Sequence, residues 1–282
     1  MGGIPLRGEL GERARDILAG RAEPVPARDA ATVVLLRETR ETPPQGVEVY
    51  LLRRTASMAF AAGACVFPGG SVDPRDADHA LAWAGPPPAE WARVFRTAEG
   101  TARGLVCAAV RETFEESGVL LAGPSEREVV ADTTGDDWEA DRLALIDRSL
   151  SFADFLARRS LVLRADLLRP WGHWITPEAE PRRFDTRFFV AALPRGQRTR
   201  DVGGEADQVI WVRPADALDR AGRGLIRLMP PTYRTIREIS LHPTVAAVLA
   251  TEREIVSYMP DIAEVDGEMR IVLDDDYGPG VG

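Results

Sequence analysis

Arg111-Glu112-Thr113-Phe114-Glu115-Glu116-Ser117-Gly118-Val119 is the stretch on which the reading of this chain turns. On an α-helix, Glu112, Glu115 and Glu116 stand at i, i+3 and i+4, so all three carboxylates project from one face. Like charges so grouped repel one another and gain nothing from an apolar neighbour. The grouping makes sense if a hard divalent cation sits between them. Magnesium takes oxygen ligands and bridges carboxylates to substrate phosphates. Arg111 can tie one carboxylate in place by a bidentate pair, and Gly118 is a helix stop signal. Alone, E-x-x-E-E is common and reads better as a solvated acidic helix end. Two neighbouring features shift the balance. Residues 104–110 are almost wholly apolar, which predicts a helix with a buried body and a carboxylate end facing a cleft. Upstream, Phe67-Pro68-Gly69-Gly70 ends a short strand, and two glycines after a proline let backbone N–H groups approach an anion closely.

Working outward, residues 31–37 and 47–54 read as strands joined through a turn at Pro43, Pro44 and Gly46, which predicts a hairpin. Residues 64–70 read as a third, short strand. The helix carrying the carboxylates is predicted from about Thr101 to Ser117. Between them, residues 71–100 are polar, carry Pro86-Pro87-Pro88, and read as an insertion. Two or three short helices are expected over 125–160, and strands over 168–175, 184–193 and 208–213. Helices are expected again over 214–222 and 230–257. Residues 262–273 can form a small hairpin around Asp266-Gly267. The division that follows is an N-terminal helix and linker (1–29), a main domain (30–257) with a helical extension from about 214, and an acidic, solvated tail (258–282).

The bulk composition bounds the function. The 282 residues carry 44 acids against 35 bases, a net charge of −9, and every one of the bases is arginine. A Schiff-base lysine and a phosphate-loop lysine are excluded. A general nucleic-acid surface is disfavoured, because phosphate neutralisation needs a basic patch. Cys65 and Cys107 are too few for a disulfide framework and read as buried apolar side chains. His79, His173 and His242 lack the spacing of a zinc site. No apolar run is long enough to span a bilayer, and no secretory signal opens the chain, so the expected address is cytoplasmic.

F-P-G-G followed by R-E-x-x-E-E-x-G-V resembles the box of the Nudix hydrolases, G-x5-E-x7-R-E-U-x-E-E-x-G-U with U apolar. Arg111, Glu112, Glu115, Glu116, Gly118 and Val119 match the second half, with Thr113 at the U position. Gly70 to Arg111 spans 41 positions where the pattern has 14, so about 27 extra residues split the box. The earlier glutamate of the pattern falls on Arg103 counting back from Arg111, or on Asp76 counting forward from Gly70. A box split at this point is similar to the branch that includes the peroxisomal coenzyme A diphosphatases. Residues 182–189 and Pro230-Pro231-Thr232-Tyr233 look like that branch too. Before F-P-G-G, the coenzyme A-cleaving members carry L-L-T-x-R-[SA]-x3-R-x3-G. This chain supplies Arg54 and Gly63 there, but Leu52, Thr55 and Ala59 depart from the pattern.

The resemblance implies an α/β/α sandwich with a mixed sheet, an inserted subdomain and a helical C-terminal extension. It implies hydrolysis of a diphosphate linkage in a nucleoside diphosphate derivative, with Mg2+ or Mn2+ held by Glu112, Glu115 and Glu116. Arg111 orients that cluster, and Gly69 and Gly70 shape the turn beside it. Glu205, in a late glycine-containing loop, is the candidate additional acid, with Asp207 second. Arg54 and Arg183 are the first candidates to meet substrate phosphates. Coenzyme A or an acyl derivative is the expected substrate, with ADP-ribose or NADH as alternatives in the same class. A non-catalytic nucleotide-binding module is the alternative in a different class. No nucleic-acid or membrane partner is expected, and a homodimer is left open.

Overall fold

The computed structural model describes residues 3–41, 46–55, 63–78, 80–200 and 206–274. The first strand, β1 (Gly3–Pro5), is followed by α1 (Glu9–Leu18), β2 (Arg28–Glu38), β3 (Val47–Arg54), β4 (Ala64–Val66) and β5 (Gly69–Ser71). A single 3-10 turn (Pro74–Ala77), β6 (Trp83–Ala84) and α2 (Pro88–Phe95) lead into the long helix α3 (Glu99–Ser117). Then come β7 (Ala122–Gly123), α4 (Asp136–Ile146), α5 (Phe152–Arg158), β8 (Val162–Arg164), β9 (Arg169–Ile175), β10 (Phe184–Ala192) and β11 (Ala206–Val212). The C-terminal part holds α6 (Pro214–Gly222), β12 (Arg227–Leu228), α7 (Pro230–Ile239), α8 (Val245–Leu249), β13 (Ser257–Tyr258), β14 (Asp261–Val265) and β15 (Glu268–Val272).

The central sheet runs β12-β4-β3-β2-β10-β9-β13, with β11 added to β3 and β5 to β2. It is mixed: β2 lies parallel to β10 and antiparallel to β3, which is the hairpin expected from the turn residues. Strand alternation sends successive side chains of β2 to opposite faces. Ala31, Val33 and Leu35 pack with Phe189 of β10 against Val106, Val110 and Phe114 of α3. Val34 and Leu36 pack with Phe188 and Val190 against Ala217 and Ala221 of α6 and Ile236 and Ile239 of α7. Helices on both faces make the α/β/α sandwich expected above. Burying one such side chain contributes about 1.5–3 kcal/mol, so the two layers carry much of the stability.

The helix α3 is buried on nearly every side from Gly104 to Val110, and only its C-terminal half turns polar groups toward a cleft. Gly118 ends it in the left-handed conformation (φ 72°), where its N–H bonds the Phe114 carbonyl. Thr113 is fully buried, and its hydroxyl donates to the Ala109 carbonyl at 2.7 Å. The apolar position of the box therefore tolerates threonine because the hydroxyl is satisfied within the helix. The segment 71–100 folds onto the core: Trp91 and Phe95 of α2 are buried in the layer that α3 anchors. Both cysteines are buried.

One expectation is corrected. The helical stretch read over 230–257 is interrupted, with α7 ending at Ile239 and α8 at Leu249. Pro243 explains the first break, because it lacks the N–H that would continue the helix and disfavours helical backbone at His242. The acidic C-terminal segment is structured over part of its length. β14 and β15 form the expected hairpin, with Asp266 (φ 53°) and Gly267 (φ 81°) in the turn. β15 also pairs with β1, so the two ends of the chain build one three-stranded sheet over a small core of Leu6, Met269 and Ile271. Its acids Asp261, Glu264, Asp266 and Glu268 remain exposed. Among the described residues, no helix is long and apolar enough to cross a membrane.

Candidate active site

The carboxylate end of α3 meets β5 at the centre of a cleft of about 1050 Å3. Its walls include Thr32, Arg54, Gly69, Gly70, Asp76, Arg111, Glu112, Glu115 and Glu116. β5 is fixed against β2 by the pairs Gly69↔Thr32 and Gly70↔Ala31, which brings the glycine turn beside the helix. The Gly69 N–H donates to Glu116 Oε2 at 2.8 Å. A Cβ on Gly70 would stand 2.5–2.7 Å from the Glu112 carboxylate atoms. Gly70 is thus required by close approach of a side chain. Gly69 is required by the β2 backbone, because a Cβ there would stand 2.5 Å from the Ala31 carbonyl oxygen.

Arg111 organises the carboxylates. Its Nε and Nη2 donate to the two oxygens of Asp76 at 3.0 and 2.9 Å, and Nη2 also reaches the Ser71 carbonyl at 3.0 Å. Its Nη1 donates to Glu112 Oε1 at 2.8 Å and Glu115 Oε1 at 3.1 Å. The Asp76 side chain is only 2% exposed and the Arg111 side chain 12%, so this is a desolvated pair rather than a surface one. Asp76 is itself held by the Asp73 N–H at 2.8 Å, part of a reciprocal cap on the 3-10 turn. The forward count from Gly70 therefore falls on the acid that pairs with Arg111. The extra residues enter after Asp76, and the pair to Arg111 restores the contact across the break.

The electrostatics follow from burial. Desolvation pushes the Glu112 carboxyl up to about 7, with Arg111 opposing and Glu115 reinforcing the rise. Desolvation also raises the Glu115 carboxyl, again with Arg111 opposing. Burial works against the Arg111 charge, but the Asp76 hydrogen bonds and the charges of Glu112 and Asp76 more than offset it. One guanidinium faces Asp76, Glu112 and Glu115, and Glu116 lies next to them, so negative charge is in excess. That excess and the all-oxygen donor set suit a hard divalent cation. Among the described residues, no group of three acids, histidines or cysteines stands in a ready metal-binding arrangement. Arg111 engages Glu112 and Glu115 instead, so loading an ion calls for rotation of those side chains.

The remaining candidates divide. Arg54 lines the cleft. Arg183 does not. Its guanidinium is committed to the Thr176 and Val25 carbonyls at 3.0 and 2.8 Å and to Met259 Sδ, so it ties the linker before β2 to the sheet. This corrects its assignment to substrate phosphates. Glu205 lies outside the described residues, and the side chain of Asp207 is not described. The cleft also takes in Arg148, Arg182 and Arg227, which sequence reading did not single out. In a chain whose only basic side chains besides histidine are arginines, abundance hides the few that matter, and no local pattern distinguished these.

The family model described as the NUDT19 Nudix domain matches residues 102–239. Residues 102–239 thus match a Nudix domain, and the chain is similar to Nudix hydrolases of the coenzyme A diphosphatase type. It is 28% identical over 259 residues to the human acyl-coenzyme A diphosphatase NUDT19, covering 76% of this chain and 68% of that one. It is 28% identical over 218 residues to the putative nudix hydrolase 7 of Caenorhabditis elegans, covering 76% of this chain but only 60% of that relative's length. Among solved structures, a NUDIX hydrolase from Alicyclobacillus acidocaldarius superposes with a TM-score of 0.68 at 28% identity, over 82% of this chain and 98% of that one.

Proposed function

We propose that this chain is a metal-dependent diphosphatase that hydrolyses coenzyme A or an acyl-coenzyme A. Water would add across the diphosphate linkage, giving adenosine 3′,5′-bisphosphate and phosphopantetheine or its acyl form. The observation that carries the reading is the Asp76–Arg111–Glu112–Glu115 network, set against the Gly69-Gly70 turn inside a cleft with further arginines. Likeness to the acyl-coenzyme A diphosphatases supports the substrate class. Magnesium or manganese bound by Glu112, Glu115 and Glu116 would neutralise the diphosphate and activate the attacking water. Arg111 orients two of those carboxylates and anchors them to Asp76. The Gly69 N–H fixes Glu116, which keeps its negative charge aimed at one place before any ion arrives. Arg54, Arg148, Arg182 and Arg227 line the cleft, and we assign them to phosphate groups along it.

The test is hydrolysis of coenzyme A, acetyl-coenzyme A, ADP-ribose and NADH with magnesium or manganese, and again after chelation. Coenzyme A species are expected to turn over fastest, with activity abolished by chelator and restored by metal. No metal-stimulated turnover of any diphosphate would sink the enzyme reading. Preference for ADP-ribose or NADH would sink the coenzyme A assignment alone.

The two glycines give a separable pair of expectations. Gly69→Ala drives its Cβ into β2 backbone and is expected to destabilise by roughly 1–3 kcal/mol, as overpacking does. The nearest atoms that a Cβ of Gly70→Ala meets are the end of the Glu112 side chain. This variant should melt close to the wild type yet lose roughly tenfold in kcat, because the carboxylate is displaced from its working position. Thermal melting beside steady-state kinetics separates the two. Equal losses of stability in both variants would contradict the geometry.

A further inference from the structure

The last turn of α3 is held from outside the helix. Its end carbonyls have no partner within the helix, and Glu115 and Glu116 stand where the helix dipole already gathers negative charge. α3 has no basic residue in that turn to offset them. The counter-charge comes from α4. Arg142 Nη1 donates to the Glu115 backbone carbonyl at 2.7 Å, while its Nε and Nη2 donate to the two oxygens of Glu139 at 2.9 and 2.6 Å. The Arg142 side chain is only 3% exposed. Arg200 completes the clamp. Its backbone N–H donates to the Ser117 carbonyl at 3.0 Å, its Nη1 pairs with Glu139, and its Nη2 donates to the Thr133 carbonyl at 2.7 Å. The Thr133 hydroxyl in turn donates to the Gly118 carbonyl at 2.6 Å. Two guanidiniums on one carboxylate leave positive charge in excess at the end of the helix.

Glu115 is thus held twice. Arg111 takes its side-chain oxygen at 3.1 Å, and Arg142 takes its main-chain oxygen at 2.7 Å. The two holds answer different needs. A cation can be bound only when the carboxylate turns away from Arg111, and from then on Arg111 no longer fixes the residue. The Arg142 bond does not depend on the side-chain rotamer, so it survives that turn. Arg142 borders the cleft, but each of its three nitrogens already donates to the protein. We propose that Arg142 is a positioning residue: it fixes the Glu115 main chain, and with it the place where Glu115 and Glu116 offer their oxygens to a divalent cation. Glu139 and Arg200 keep it in register. This rests on the metal reading above and not on the choice of substrate.

The test is Mn2+ binding to the metal-free proteins without substrate, read from the electron paramagnetic resonance signal of unbound Mn2+. Arg142→Met keeps the stem and removes the donors. Its Kd for Mn2+ is expected to rise about tenfold, the scale of losing a group that orients a ligand. Arg142→Lys keeps one donor for the carbonyl but not the fork, and should recover part of that loss. Arg164→Met is the matched control. Arg164 is buried too, donates from Nη1 to the Glu128 backbone carbonyl at 2.7 Å, and holds Asp166 with Nε and Nη2 at 2.8 and 2.7 Å, but it lies outside the cleft. Its loss should lower the melting temperature, as the loss of Arg142 does, and leave Mn2+ affinity unchanged. If Arg142→Met does not fold, Glu139→Gln decides, because it withdraws the shared charge from a partly exposed position. Mn2+ binding weaker by about threefold is then expected, and wild-type affinity overturns the inference. Equal affinity in the wild type and Arg142→Met also overturns it, as does an equal loss in Arg164→Met. Unchanged Mn2+ affinity with a raised KM for coenzyme A would make Arg142 a substrate contact instead. If the wild type binds no Mn2+, the metal reading fails, and this inference with it.

Discussion

Arg111→Ala is expected to lower folding stability by about 3–5 kcal/mol, the cost of removing one partner from a buried ion pair. The number of stranded charges sets the size of the effect. Asp76, Glu112 and Glu115 all take hydrogen bonds from this one guanidinium, and their side chains are 2%, 13% and 11% exposed. Water cannot replace the lost partner at Asp76. In a chain of this length such a loss corresponds to a melting temperature lower by roughly ten degrees. Arg111→Lys keeps the charge but not the planar fork, which here spans Asp76 on one side and the glutamates on the other. It should recover only part of the loss. A differential scanning measurement on the metal-free proteins decides it. An alanine variant that melts within a degree or two of the wild type would show that the network carries no structural weight.

That network also shows where sequence reading reaches its limit. The helix α3 was legible because two independent patterns agree on it, an apolar run of seven residues and a carboxylate cluster spaced for one face. β2 and β3 were legible because a turn separates two runs of β-branched and aliphatic residues. Asp76 was different. A pattern interrupted by an insertion can be counted from either side, and only the pairing of β5 with β2 says which side holds the register. Arg183 failed for a related reason. It sits in a segment that resembles the family, but resemblance does not say which way a side chain leaves the strand, and its neighbour Arg182 lines the cleft instead. The terminal sheet was hidden because β1 and β15 are each short and ordinary. Their pairing joins residues about as far apart in the chain as any two can be, and no local periodicity encodes it.

Glu116→Gln is expected to lower kcat by roughly 10^2- to 10^3-fold, the scale of removing one charge-stabilising or proton-handling group from a catalytic centre. The substitution preserves shape, and the amide oxygen can still accept the Gly69 N–H, so the fold should stand. The thermal stabilisation given by millimolar magnesium should shrink in this variant, because a ligand that binds only the folded state stabilises according to its affinity. Glu112→Gln separates function from stability at the same site. Burial raises the Glu112 carboxyl to about 7 from an ordinary value of 4.5. Between those values the folded chain binds a proton that the unfolded chain has released, so stability rises as pH falls through this window. Above pH 7 the carboxylate is charged in both states, and its burial is a standing cost to the metal-free protein. Metal-free Glu112→Gln should therefore melt above the wild type at pH 8, with the gain shrinking toward pH 5, while its kcat falls. Lower melting at pH 8 would mean that the Arg111 contact outweighs the burial of the charge. Higher melting with lost activity would mean that the carboxylate is kept there, against the stability of the empty site, for what it does when a cation and a diphosphate are bound.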